Sequence, residues 1–343
     1  MPFAEQVRDF LGLTVAHAVV MFPYLTIPPF LVSPLLQAVG RDAARGRLLQ
    51  NPDGSWWRAV WLGACSPPGR SKVFREAQGL LAAGVSPANV MAYLVAAHSL
   101  VVYMPLLLVA LSGPQPVIGL ALAALLTIFV MRYTLRGIRG AEWDKARLLL
   151  RGFTPGAATS ASPGWVGAAA RNLAGDIASV GWPLVLGATL GAVVAAWGLS
   201  DAFVSVQGNN GVGPQVVSAF AGLLLAYVSG VPPVGNVYLG AWLWKAEFFG
   251  YAGLMAFYLG VLITPFALPR YAELFGRELG WRIVQRLALA ILAAALAVTA
   301  FWYALDWVFH AVGLGAPIEG LIDSTIKPNP IPWFHTLFWM HSH

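Results

Sequence analysis

Four stretches of the chain, residues 10–40, 77–131, 202–244 and 248–269, contain no aspartate, glutamate, lysine or arginine. A helix needs only about 20 apolar residues to cross the hydrocarbon core of a bilayer, so several of these runs hold more than one element. Hydrophobic residues make up 58% of the chain and charged residues only 10%, against roughly a quarter charged in an ordinary soluble domain. The expected class is an all-α polytopic membrane protein. The first run, Phe10 to Val39, is too long for the core of a cleavable signal peptide and is interrupted by Pro23, Pro28 and Pro29; it reads as a kinked first helix. A single cysteine, Cys65, excludes an internal disulfide framework, and no CxxC or Cys/His zinc pattern occurs.

The formal charge of +6 does not point to nucleic acid, because the basic residues lie in loops beside apolar runs, as positive-inside bias requires. Arg41, Arg45, Arg47 and Arg58 follow the first helix; Arg132, Arg136, Arg139, Lys145, Arg147 and Arg151 form a central stretch; Arg270, Arg277, Arg282 and Arg286 form a third cluster. With all three in the cytoplasm and the N-terminus outside, the spans between them are even in number. Residues 88–111 and 114–131 give one pair of spans, turned at "SGPQP" (112–116). Residues 177–199, 215–247 and 250–268 lie between the second and third clusters, and three full spans there would break the parity.

The parity is restored if two interrupted segments enter the membrane and return to the side they came from. These are 56–84, broken at "CSPPG" (65–69), and 215–247, broken at "SGVPPVGN" (229–236). Adjacent prolines remove backbone donors and clash with the preceding turn, so each pair ends a helix. Each break is followed by a span with a similar phrase, "MAYL" (91–94) and "MAFYL" (255–259), about 165 residues apart. The pattern predicts an inverted-topology repeat with two re-entrant or broken-helix Pro-Pro segments, a common construction of secondary transporters. The expected organisation is a first membrane repeat over 1–131, a basic cytoplasmic connector over 132–170, a second repeat over 171–311 and an interfacial tail over 312–343. Residues 287–311 supply the last span and place the C-terminus outside, for a protein of the bacterial inner membrane.

The stretch "GACSPPGRSKVFREAQGLLAAGVSPANVMAYLVAAHSL" (63–100) resembles the first repeat of the predicted-permease family that includes the ArsP-type organoarsenical efflux permeases. The stretch "GVPPVGNVYLGAWLWKAEFFGYAGLMAFYLGVLITPFALPRYAELFGRELGWR" (230–282) is similar to its second repeat, with the loop, the small-residue helix and the Leu-Gly-Trp-Arg entry into a final helix. The family loops often carry a second cysteine, whereas here Ser66 follows Cys65 and the second loop has Ser229 and Gly230. Trivalent arsenic prefers several soft thiolates. The resemblance therefore implies a permease and does not carry over the arsenical substrate.

Non-helical backbone at membrane depth survives only where protein or water satisfies it, and half-helix N-termini offer free N–H groups to a polar or anionic solute. The candidate solute pathway is accordingly Cys65, Ser66, Pro67, Pro68 and Gly69 in the first break, with Ser229, Gly230, Pro232, Pro233 and Asn236 in the second. Cys65 is placed to touch a soft solute, although a free cysteine is also a common small buried residue. Asn236 offers an amide to a solute or to its own backbone. Glu76, Lys245 and Glu247 follow the breaks, and ionisable residues inside a membrane tend to face partners or pathways; the two glutamates are candidate proton carriers, or interfacial side chains reaching water. Asp176 opens the run 177–199, where a carboxylate also suits a helix N-terminus. His98 is a secondary candidate, since a histidine on an apolar helix is commonly hydrogen-bonded packing. No metal site is expected: His341 and His343 in the aromatic tail have no acidic or thiol ligand beside them.

No P-loop, GxSxG, HExxH or GxGxxG in its required context appears, so neither ATP-driven transport nor an enzyme is expected. Three functions remain in order. The first is a secondary-transport exporter of a small solute, working by alternating access around crossing Pro-Pro loops, with no cofactor and a proton or ion gradient as the driving force. The second is a channel that uses the same loops as a filter. The third is a non-transporting subunit of a membrane complex. The expected partners are a small-molecule solute, the lipid bilayer, and copies of itself or other membrane subunits.

Overall fold

Proline and glycine cut the charge-free runs into helices of unequal length. The computed structural model describes residues 42–150 and 212–312, apart from 53, 55, 67–69, 102 and 246–247, together with residues 7, 8, 10–12, 15, 182 and 185–193. The predicted first helix, the connector beyond residue 150 and the C-terminal tail lie largely outside the described residues, as do Pro67, Pro68, Gly69, Asp176 and Glu247.

The first half runs α1 (Asp42–Gln50), α2 (Trp56–Ala64), α3 (Arg70–Ala82), α4 (Pro87–Ser99), α5 (Tyr103–Ser112), α6 (Pro114–Leu135) and α7 (Gly140–Leu149). The second half runs α8 (Val212–Ser229), α9 (Pro233–Lys245), α10 (Tyr251–Gly260), α11 (Leu268–Phe275) and α12 (Arg277–Ala311). Residues 185–193 are helical too. Among the described residues α6, α8 and α12 are each long and apolar enough to cross a membrane. A fourth span arises if α10, its 3₁₀ extension Val261–Ile263 and α11 count as one path bent by 53°. The protein is an all-α, multi-pass membrane protein.

Both predicted spans that follow the Pro-Pro breaks are themselves broken, which corrects the expectation of continuous helices over 88–111 and 250–268. Helix α4 has 13 residues, about 20 Å, against roughly 30 Å of hydrocarbon. It stops because Pro105 lies in the first turn of α5, where its ring excludes a helical carbonyl four residues back. In the second half, Pro265 turns the preceding Thr264 to an extended conformation with ψ 158°, and Pro269 starts α11.

The packing explains why such short helices persist. Asn89–Ser99 of α4 and Ala252–Gly260 of α10 are buried on every side, as a helix apolar all round requires. The two touch each other at the centre, and α6 lies against α12. Around this centre each half repeats one set of contacts: α2 on α4 and α8 on α10; α3 on α4 and α9 on α10; α5 on α6 and α11 on α12; α4 on α6 and α10 on α12. Between the halves, α9 packs on α5 and α3 packs on α11. Small residues let the backbones approach. A Cβ added to Gly63 of α2 would lie 2.6 Å from the Tyr93 carbonyl oxygen, and one added to Gly222 of α8 would strike the Gly253 carbonyl.

Hydrogen bonds identify the two ends of the molecule. At one, Asn89 Nδ2 donates to the carbonyls of Pro52 and Gly54, Arg147 reaches the Gly84 carbonyl, and Arg282 pairs with Glu142 at 2.9 Å. The start of α2, the end of α3, the end of α6 and the start of α12 thus meet at the basic end. At the other end, the Gly250 N–H donates to Ser218 Oγ, the Ala252 N–H to Gln215 Oε1, Gln215 Nε2 to the Tyr303 hydroxyl, and the Tyr251 hydroxyl to the Gln115 carbonyl. There the start of α8 lies beside the start of α10, the end of α12 and the start of α6.

Candidate functional site

At the first break, α2 spends its last turn on the residues that the sequence singles out. The Cys65 N–H donates to the Trp61 carbonyl and the Ser66 N–H to the Gly63 carbonyl, so the helix tightens to its end at Ser66. Cys65 is 5% exposed and Ser66 is equally buried. Ser66 Oγ lies 3.1 Å from both the Leu62 carbonyl oxygen and the Tyr93 hydroxyl. The second of these bonds ties the broken end to the middle of α4. A buried hydroxyl without a partner is costly, and each of these two supplies the other's.

The second break solves the same problem with backbone. Ser229 Oγ donates to the Ala226 carbonyl and the Gly230 N–H to the same oxygen. Gly230 then adopts φ +60°, a left-handed conformation costing an L side chain roughly 1–2 kcal/mol. A Cβ there would also sit 2.7 Å from the Phe266 ring, so the break of the Pro-Pro segment is covered by the break between α10 and α11. Pro232 and Pro233 start α9, and the Asn236 N–H closes its first turn on the Pro232 carbonyl at 2.9 Å. Asn236 is 1% exposed. Its Nδ2 donates to the Phe257 carbonyl of α10 at 2.7 Å, while its Oδ1 is buried with no hydrogen-bond partner among the described residues. Behind it, Gly187 lets residues 185–193 approach the start of α9, since a Cβ there would lie 2.5 Å from the Gly235 carbonyl oxygen.

The remaining candidates fall differently. Glu76 of α3 is ion-paired with Arg45 Nε of α1 at 3.2 Å and is largely shielded. His98 is buried; its Nδ1 lies 2.8 Å from the Leu94 carbonyl oxygen, so Nδ1–H donates there. Its ring meets the edge of Phe74 of α3, which in turn meets Tyr271 of α11. His98 therefore joins the two halves through aromatic packing. Lys245 ends α9.

Several buried polar groups at the centre were not among the sequence candidates. Tyr93 and Tyr258 occupy matching places in "MAYL" and "MAFYL", the one polar residue common to both phrases, and both are buried. Ser99 and Thr264 end α4 and the 3₁₀ extension of α10, both buried. Ser112 of α5 lies against Tyr258 of α10 across the halves. Among the described residues no aspartate, glutamate, lysine or arginine is fully buried. Such a belt can hydrogen-bond a solute without presenting it a fixed charge.

The model of the ArsP_1 family, described as a predicted permease, matches residues 6–301. No curated protein and no solved structure matches the chain. With both broken segments, both buried central helices and all but the end of α12 inside the matched range, the chain belongs to the ArsP_1 family of predicted permeases.

Proposed function

We propose that this permease is a secondary transporter that carries a small polar solute outward by alternating access, with its two halves as an inverted-topology repeat. The carrying observation is that α2 and α3, which flank the first Pro-Pro break, pack on α4, and α8 and α9, which flank the second, pack on α10; in this reading the two segments enter from opposite ends of the molecule. Gly54 and Gly84, which flank the first segment, bond at the basic end, and Gln215 of α8 and Gly250 after α9 bond at the other, which supports this reading. Matching contacts within each half, and the reciprocal pairs α9 on α5 and α3 on α11, support a two-fold relation between the halves. Reciprocal packing of this kind lets one arrangement exchange with its two-fold-related counterpart, which opens the site to alternate sides.

The site in this reading is the neutral polar belt of Ser66, Tyr93, Asn236 and Tyr258, with Cys65 beside it. The free acceptor Oδ1 of Asn236 suits a solute that donates a hydrogen bond. A gradient of protons or ions drives export, and the basic end faces the cytoplasm of a bacterial inner membrane with both chain termini outside. Glu76 serves the fold through Arg45 in this account, leaving Glu247 and Asp176 as the carboxylates for coupling.

The test is flux in proteoliposomes containing the full chain, with a panel of small hydrogen-bond-donating solutes. A transporter gives saturable flux that Asn236→Leu reduces more than Glu76→Gln. Single-channel conductance without saturation would replace this reading by the channel, and absence of flux for every solute, with stoichiometric co-purifying subunits, would replace it by the structural subunit.

A further inference from the structure

A second site lies away from the central belt. Ser86, Pro87 and Ala88 at the start of α4, Arg132, Leu135 and Arg136 at the end of α6, and Trp143 of α7 line a cavity of about 250 Å³ at the basic end. That is room for more than one water. The arginines around it differ in occupation. Arg45, Arg147, Arg270 and Arg282 pair with carboxylates, and Arg286 takes the Thr134 carbonyl at 2.7 Å. Among the described residues, the side chains of Arg132 and Arg136, like those of Arg75, Arg139 and Arg277, have neither a hydrogen bond nor an ion pair, and of these five only Arg132 and Arg136 line the cavity. The last carbonyls of α6 do not explain them, because Arg286 already occupies that end of the helix.

Arg132 and Arg136 lie one helical turn apart at the end of α6 and both line the cavity, and two guanidinium groups at that spacing suit a tetrahedral oxyanion. The Ala88 N–H in the first turn of α4 adds a donor to the same wall. The wall carries no carboxylate, and Trp143 gives it an amphipathic ring suited to the membrane interface. We propose that this pocket binds a phosphate group between Arg132 and Arg136, tying α4, the end of α6 and the connector helix α7 together at the basic end. The group comes from an anionic phospholipid or from free phosphate, and the two sources are separable.

The full chain is purified in neutral detergent, and its thermal unfolding is followed while phosphatidylglycerol, phosphatidylcholine or inorganic phosphate is titrated in. Binding through both arginines, at about five-fold each, makes Arg132→Gln with Arg136→Gln weaken the phosphate-bearing ligand about 25-fold. Arg139→Gln, on an arginine of the same loop that does not line the cavity, leaves it unchanged. Stabilisation by phosphatidylglycerol alone assigns the lipid as source; equal stabilisation by inorganic phosphate assigns the free ion. Should the double variant fold poorly, Arg132→Lys keeps the charge but loses the fork, and is expected to weaken binding less than Arg132→Gln. No stabilisation of the native chain by any phosphate, or equal loss in Arg139→Gln, overturns the proposal.

Discussion

The two Pro-Pro breaks share an outline and differ in how they are held. Each is followed by a 13-residue helix that packs on the half's central helix. The first stops a nine-residue helix and is anchored by a hydroxyl pair, Ser66 with Tyr93. The second stops an 18-residue helix and is anchored by a left-handed glycine and by an amide that reaches a backbone carbonyl of α10. Symmetric architecture therefore does not require symmetric chemistry. Among the described residues only the second anchor leaves a buried acceptor, Asn236 Oδ1, without a partner, so a solute would be held more by one half than by the other.

This comparison is broken most severely at the glycine seams. Gly222→Val drives a side chain into the Gly253 backbone, which cannot yield like the end of a flexible side chain; a loss of more than about 3 kcal/mol is expected, read as collapse of the monodisperse peak in fluorescence-detected chromatography. Gly63→Val, against Tyr93 and Ala96, is expected to do the same to the first half. Next comes Asn236→Leu, which strands the Phe257 carbonyl and costs about 1–3 kcal/mol, measurable as a lower unfolding temperature together with reduced flux. Gly230→Ala meets the left-handed penalty and the Phe266 ring, for about 1–3 kcal/mol, and Phe266→Ala in the same chain is expected to restore part of the loss. Ser66→Ala and Tyr93→Phe each cost about 1 kcal/mol; the double variant costs less than the two together, because both remove one bond. Glu76→Gln has the smallest effect, about 0.2–1 kcal/mol for a part-exposed ion pair, and leaves the pH dependence of flux where it was.

The sequence showed where the breaks fall more clearly than what holds them. Charge-free runs gave the membrane helices, and the paired prolines placed both interruptions, because a missing donor and a ring clash act locally. Pro105, Pro265 and Pro269 were equally visible, yet a single proline in an apolar run marks a kink as readily as an end, so the breaks after α4 and α10 went unread. The anchors join residues far apart in the chain: Ser66 finds Tyr93, Glu76 finds Arg45, and Asn236 finds a backbone carbonyl that has no sequence signature. Tyr93 and Tyr258 were legible as a repeated phrase, whereas their burial at the centre follows only from packing.

The central claim is that the two broken segments open at opposite ends of the molecule. With Cys65→Ala as background, single cysteines at exposed positions at an end of each segment, Ala83→Cys and Gly213→Cys, and Lys145→Cys as the marker of the basic end, are treated with an impermeant thiol reagent in right-side-out and inside-out vesicles. Ala83→Cys is expected to label in the same vesicles as Lys145→Cys, and Gly213→Cys in the opposite ones. Labelling of Ala83→Cys and Gly213→Cys from one side would contradict it.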